Sequence, residues 1–134
     1  MKIAVDTNVL ARAILDDDPH QGEMAREALA RAEVIALSIV VLCELVWVLR
    51  RGYGKTTREV SILIQTLLEI DRIVVDRPAV EAGLAMLDGG GDFADGVIQH
   101  TGQWLGGDTF LSFDRDAVRR LSEQGHRAEI PGGG

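Results

Sequence analysis

The sequence predicts an α/β fold, with a short parallel β-sheet flanked by helices on both faces. Three observations carry that expectation. Short apolar runs of strand type recur at residues 2–5, 34–37, 73–75 and 109–113. The stretches between them place apolar residues at helical spacing. The chain has 134 residues, 46% hydrophobic and 26% charged, enough to bury one proper core. Strands that alternate with helices call for a parallel sheet, because each crossover lays a helix on a sheet face.

Each element has its own local cause. The helix over 7–15 rests on Val9, Leu10, Ala13 and Ile14 and is stopped by Asp16-Asp17-Asp18-Pro19. The next, over 20–31, carries Met24, Ala25, Ala28 and Leu29 on one face. Residues 38–50 form a strongly apolar helix closed by Gly52 and Gly54, and 56–70 a third long helical pattern. Pro78 suits the first turn of a helix over 78–87. Gly89-Gly90-Gly91 breaks the chain before a helix over 92–104. A last helix spans 114–123, and 127–130 is a fifth short strand. One domain is expected over 1–130, then a flexible Gly-rich tail at 131–134.

Composition excludes several function classes. Lys and Arg total 14 against 21 Asp and Glu, a formal net charge of −7, which argues against gripping nucleic acid by bulk electrostatics. A single cysteine, Cys43, excludes a disulfide framework and a cysteine-rich zinc site. We expect it reduced and buried in a cytoplasmic protein. Asp6 comes too early for a signal-peptide core. The most apolar stretch, 34–49, is shorter than the roughly 20 residues of a membrane span and contains Glu44.

Chemistry in open parallel sheets gathers where strands lead into helix N-termini. The first strand delivers Asp6-Thr7-Asn8 there, and the fourth delivers Ser112-Phe113-Asp114-Arg115-Asp116. The bland account of both is helix capping. Glu44 has Val40, Val41, Trp47 and Val48 as helical neighbours, so its carboxylate is expected along an apolar face in need of a cation. A buried ion pair with Arg50 or Arg51 would serve equally. Asp92 and Asp95 follow the glycines at a helix start, Asp92 as N-cap and Asp95 in the first turn, resembling a capping box. That asymmetry favours Asp95 for a site, because a capping side chain is already engaged. Together, Asp6, Glu44, Asp95 and Asp114 offer oxygen ligands alone, the donor set of hard cations such as Mg²⁺ or Mn²⁺. Such a cluster can activate water against a phosphodiester, and its metal would reconcile an acidic protein with a polyanionic substrate.

Val5-Asp6-Thr7-Asn8-Val9-Leu10, Glu44 in an apolar helix, Asp92-Phe93-Ala94-Asp95 and Ser112-Phe113-Asp114-Arg115-Asp116, in that order, resemble a PIN domain. The nearest likeness is to the short PIN-domain ribonuclease toxins of the VapC type, from bacterial toxin–antitoxin pairs, and it runs from Met1 to about Ile130. The resemblance implies a PIN-like sandwich in which Asp6, Glu44, Asp95 and Asp114 hold Mg²⁺ (Mn²⁺ as a substitute) and cleave RNA. Thr7 and Ser112 match supporting hydroxyls, with Asn8, Asp92 and Asp116 beside them. It further implies a homodimer and a cognate antitoxin that obstructs the acids, with apolar contacts expected near Leu10, Ile14 and Met24 or on the 56–70 helix. Gly96 departs from the family pattern, and a glycine there is expected to loosen the turn after Asp95.

Arg50, Arg51, Lys55 and Arg58 form the densest basic patch and are candidates for RNA contact; a solvated helix–helix turn is the plainer account. Other folds fit less well. A phosphate-receiver domain needs a lysine after a late strand, and the two lysines here are Lys2 and Lys55. A dehalogenase-type phosphatase needs an Asp at position 8, which is Asn8. No Walker-type loop occurs. His20, His100 and His126 are scattered without ligand spacing. The rival from another class is a non-catalytic PIN-like module that binds RNA or a protein without cutting.

Overall fold

The computed structural model describes residues 1–133. The chain divides into two compact units, Met1–Asp76 and a second from Arg77 onward.

In the first unit, β1 (Lys2–Ala4) leads into α1 (Thr7–Ile14) and α2 (Pro19–Arg31). Then come β2 (Val34–Ala36), α3 (Ile39–Trp47), a π-helical turn (Val48–Gly52), α4 (Thr57–Leu68) and β3 (Ile73–Val74). The strands form one parallel sheet in the order β1-β2-β3, with Ile3 opposite Ile35 and Ile35 opposite Ile73. Leu10, Leu42, Leu45, Leu49, Val60 and Ile64 are its most buried side chains. The sharp stop at Asp16-Asp17-Asp18-Pro19 has a local cause. Asp18 caps α2, accepting from the Gln21 N–H at 3.0 Å, and Pro19 occupies the first turn, where its missing N–H costs nothing. Thr56 and Glu59 close a reciprocal capping box on α4, at 3.1 and 3.0 Å.

The second unit contains α5 (Arg77–Asp88), α6 (Phe93–Trp104), β4 (Phe110–Leu111), α7 (Arg115–Glu123) and β5 (Ala128–Glu129). Its strands pair in parallel, Phe110 opposite Ala128. Ala79, Val80, Met86, Leu87, Phe93 and Leu121 are buried within it. Pro131, Gly132 and Gly133 form a turn; Gly134, the end of the expected tail, lies outside the described residues.

The elements expected from sequence are present, with four corrections. The five strands, each two or three residues long, form two sheets among the described residues rather than one. The third helix leaves α geometry at Trp47, and residues 48–52 widen into a π turn, a local register shift with no compositional signature. Cys43 is half-buried rather than buried. Leu10, expected near a partner surface, is 2% exposed and belongs to the core.

Gly96 departs furthest from expectation. It does not loosen the turn after Asp95; it admits a close approach of α6 to α5. A Cβ there would stand 2.3 Å from the Ala82 carbonyl oxygen. Gly83 on α5 makes the matching concession, since its Cβ would lie 2.6 Å from the ring of the fully buried Phe93. Two glycines on facing helices fix the start of α6, and with it the acids that α6 carries.

Candidate active site

Three of the candidate acids are helix N-caps. The Val9 N–H donates to Asp6 Oδ1 at 2.9 Å, and the Ala94 N–H to Asp92 Oδ1 at 3.1 Å. The Asp116 and Ala117 N–H groups donate to Asp114 Oδ1 at 3.0 and 3.2 Å. Each cap engages a single oxygen, and no second bond to Oδ2 occurs among the described residues. Capping therefore does not remove an acid from further use, because a carboxylate has lone pairs on both oxygens. The capping box expected at Asp92 and Asp95 is not closed: Asp92 caps the second helical N–H, and Asp95 makes no return bond.

Within the first unit, Asp6 is exposed at the entry to α1. The Thr7 hydroxyl beside it donates to Glu44 Oε2 at 3.1 Å, tying α1 to α3 through two residues expected to act together. The burial expected of Glu44 is not found. Glu44 is exposed, and the neighbours that suggested an apolar face, Val40 and Trp47, are 60% and 64% exposed. Apolar spacing established a helix face but not what covers it. Glu44 makes no ion pair with Arg50 or Arg51 among the described residues. Asn8 is exposed on α1.

Within the second unit, Asp95 stands apart. It lies half-buried in the first turn of α6, with no hydrogen-bond or ion-pair partner among the described residues. Burial pushes its carboxyl up, and the negative charges of Asp92 and Asp114 push it further the same way. A cation at this point would relieve both effects. Ser112 accepts the Asp114 N–H at 3.0 Å and so sets the turn that precedes α7.

Asp116 has a structural role. Its two oxygens accept from Arg119 at 2.6 Å and Arg120 at 2.7 Å, and these guanidiniums, Arg120 foremost, hold its carboxyl below the ordinary range. Arg120 also donates to the Gly89 carbonyl. The link from Asp116 through Arg120 thus fastens α7 to the glycine break ahead of Asp92. Sequence reading missed Arg120, since an arginine on an amphipathic helix carries no mark of the backbone it will reach. In the basic segment, Arg50 donates to the Lys55 carbonyl at 2.8 Å and stitches its own loop, and Lys55 is half-buried. Arg51 and Arg58 are exposed.

Within neither unit do three His, Cys, Asp or Glu side chains group closely enough to hold a metal ion, among the described residues. The donor chemistry nevertheless fits a hard cation, since every candidate ligand is a carboxylate and Asp95 has no counter-charge in its unit among the described residues. No helix is long and apolar enough to cross a membrane, among the described residues.

A parallel α/β fold with acids at its helix N-termini is an arrangement suited to phosphodiester chemistry. The chain matches the PIN domain family over residues 3–123, a stretch that runs through both units, and it belongs to that family. PIN domains are generally nucleases that act with divalent metal ions. No curated protein matches the chain.

Proposed function

We propose that this PIN domain is a Mg²⁺-dependent endoribonuclease, the toxin of a type II toxin–antitoxin pair acting in the cytoplasm, with residues 1–130 as one domain. The observation that carries the reading is Asp95: a half-buried carboxylate beside two like charges, without a donor, inside a region matched to a nuclease family. Unpaired buried acids cluster at functional sites. Asp6, Glu44, Asp95 and Asp114 are the proposed metal and catalytic carboxylates. When bound, the ion (Mg²⁺, or Mn²⁺ in its place) supplies a lowered water pKa and neutralises charge on the scissile phosphate.

The chain's own residues supply position. Asp6 and Asp114 are held by their caps, with Oδ2 left over, and Thr7 orients Glu44 by donating to it. Asp92 secures the turn that presents Asp95. Ser112 and Asp116 orient the entry to α7. The exposed Arg51 and Arg58 are the proposed phosphate contacts, while Arg50 and Lys55 shape the loop that carries them.

The proposed partners are RNA, a second copy of the chain and a cognate antitoxin. The antitoxin would place a guanidinium or ammonium against the acids and lay apolar residues along α4, where Ile62 is 53% exposed. Incubation of purified protein with total RNA, with Mg²⁺ or with chelator, tests the reading. Cleavage that needs Mg²⁺ and disappears in Asp95→Asn is expected. Cleavage that persists in chelator overturns the metal dependence, and RNA binding without cleavage identifies a non-catalytic module.

A further inference from the structure

A groove between α1 and α2 has the proposed catalytic Asp6 in its wall, while Arg12, Gln21, Ala25 and Ala28 in it have no role in the reading above. Its volume is about 610 Å³, within the range of sites that take small ligands. Part of its lining is apolar, from Val9, Ala25, Ala28 and Met24, the last 58% exposed. The rest is polar, from Asp6, Asn8, Arg12 and Gln21.

Arg12 and Gln21 are held in place. Arg12 donates through Nη1 to Asp17 Oδ2 at 2.7 Å and through Nε to Gln21 Oε1 at 3.1 Å. Asp17 also accepts the Tyr53 hydroxyl, which brings the loop after the π turn into the same network. Two consequences follow. The Arg12 charge is already matched by Asp17, so the groove lacks the unpaired cation that a phosphate would select. The Gln21 carbonyl faces Arg12, which leaves the amide NH₂ donors for a ligand. Apolar surface beside oriented amide donors suits a flat, neutral heterocycle with an exocyclic oxygen, which is how single-stranded bases are read.

We propose that this groove takes one unpaired base of the RNA substrate, guanine, uracil or cytosine through an exocyclic oxygen that adenine lacks, and sets base preference next to the cleaved bond. The proposal rests on the nuclease reading for its substrate. It adds the residues that choose where the cut falls.

Two measurements test it. Cleavage positions are mapped on a random-sequence RNA pool for the native protein, Gln21→Ala, which removes the donor, and Ala28→Leu, which fills the groove. Preference at one position near the cut should fall roughly 10-fold in both variants, the scale of a lost base-edge contact. Separately, short non-cleavable 2′-O-methyl homo-oligonucleotides are titrated into the folded native protein by NMR. Shifts should map to the Gln21 amide and the Ala25 and Ala28 methyls, with U, G and C oligomers acting more strongly than A, and should vanish in Ala28→Leu. Cleavage with an unchanged preference in both variants overturns the groove and leaves the nuclease reading standing. Shifts at the groove without cleavage support the base site and overturn the nuclease. No shift at the groove with any oligomer overturns the base site.

Discussion

The acids of the first unit and those of the second are held in opposite ways. Asp6 and Glu44 are exposed, and each accepts a hydrogen bond from within the unit. In the second unit, Asp95 is half-buried, accepts nothing among the described residues and faces Asp92 and Asp114. Caps occur on both sides of the comparison, at Asp6, Asp92 and Asp114, so capping cannot tell a site from a scaffold. What separates the two regions is whether the charge has been compensated locally. The second unit carries an acid that its protein surroundings disfavour.

The largest expected effect comes from removing the charge on either side. Asp6→Asn and Asp95→Asn should each lower Mg²⁺-dependent RNA cleavage by roughly 100-fold or more, the scale expected when a metal site loses a ligand. Asp6→Asn preserves the helix cap, because Asn caps about as well as Asp. A thermal melt close to the native one, together with lost cleavage, is therefore the expected pair of results. If either variant retains most of its cleavage, that acid is scaffold and the comparison fails on its side.

Next in size is a test of what fixes Asp95. On α6, Gly96 meets the Ala82 carbonyl oxygen, whereas Gly102, two turns on, has nothing within 4 Å of a built Cβ. Alanine favours a helix over glycine by ~1 kcal/mol, so Gly102→Ala should stabilise by up to that amount. Gly96→Ala starts with the same gain and must force backbone apart at 2.3 Å, so we expect a net loss of about 1–3 kcal/mol. Urea unfolding of both variants checks the contrast. Equal stabilisation by both would mean that α5 and α6 do not meet as closely as described.

This glycine also marks the boundary of what the sequence makes legible. Periodicity placed every helix to within a few residues, and the acids at 6, 92 and 114 could be read as caps because capping is local chemistry. Gly96 read as a weak turn because its reason for being glycine lies on another helix. Glu44 read as buried because spacing reveals a face and not its cover, and Val40 and Trp47 remain largely exposed. The Arg120 link to Gly89 was invisible for the same cause, since a long flexible side chain finds its partner only after the chain folds.

A smaller effect sharpens the comparison through the ion itself. Millimolar Mg²⁺ or Mn²⁺ binds the folded acids and not the unfolded chain, so it should raise the melting temperature, with ~2.7 kcal/mol available at a hundredfold excess over Kd. Asp95→Asn should abolish most of that rise, because it removes the acid most in need of a cation. Glu44→Gln should reduce it less, since Glu44 is exposed and already holds the Thr7 hydroxyl. Calorimetric scans with and without metal measure both. A native melt indifferent to metal would mean that neither region is a cation site.

The smallest expected effect is a pH dependence confined to one side. The Asp95 carboxyl lies above its ordinary value of 3.8, first from burial and then from Asp92 and Asp114. A raised acid binds its proton more tightly folded than unfolded. Between the ordinary value and the raised one the native state therefore holds more protons, and stability falls as pH rises through that window. Above the window the cost is fully present, and below it the cost vanishes. Asp95→Asn removes the group, so in chelator the variant should melt higher than the native protein at about pH 8, with the gap closing as pH falls towards about 4. Asp17, Glu59 and Asp116 shift the other way, lowered by Tyr53, the Thr56 backbone and Arg120 foremost, and they weaken both proteins alike in acid. Taking the difference between variant and native melts cancels their contribution. A gap that stays constant with pH would place the cost of Asp95 in packing and remove the charge-based distinction between the two units.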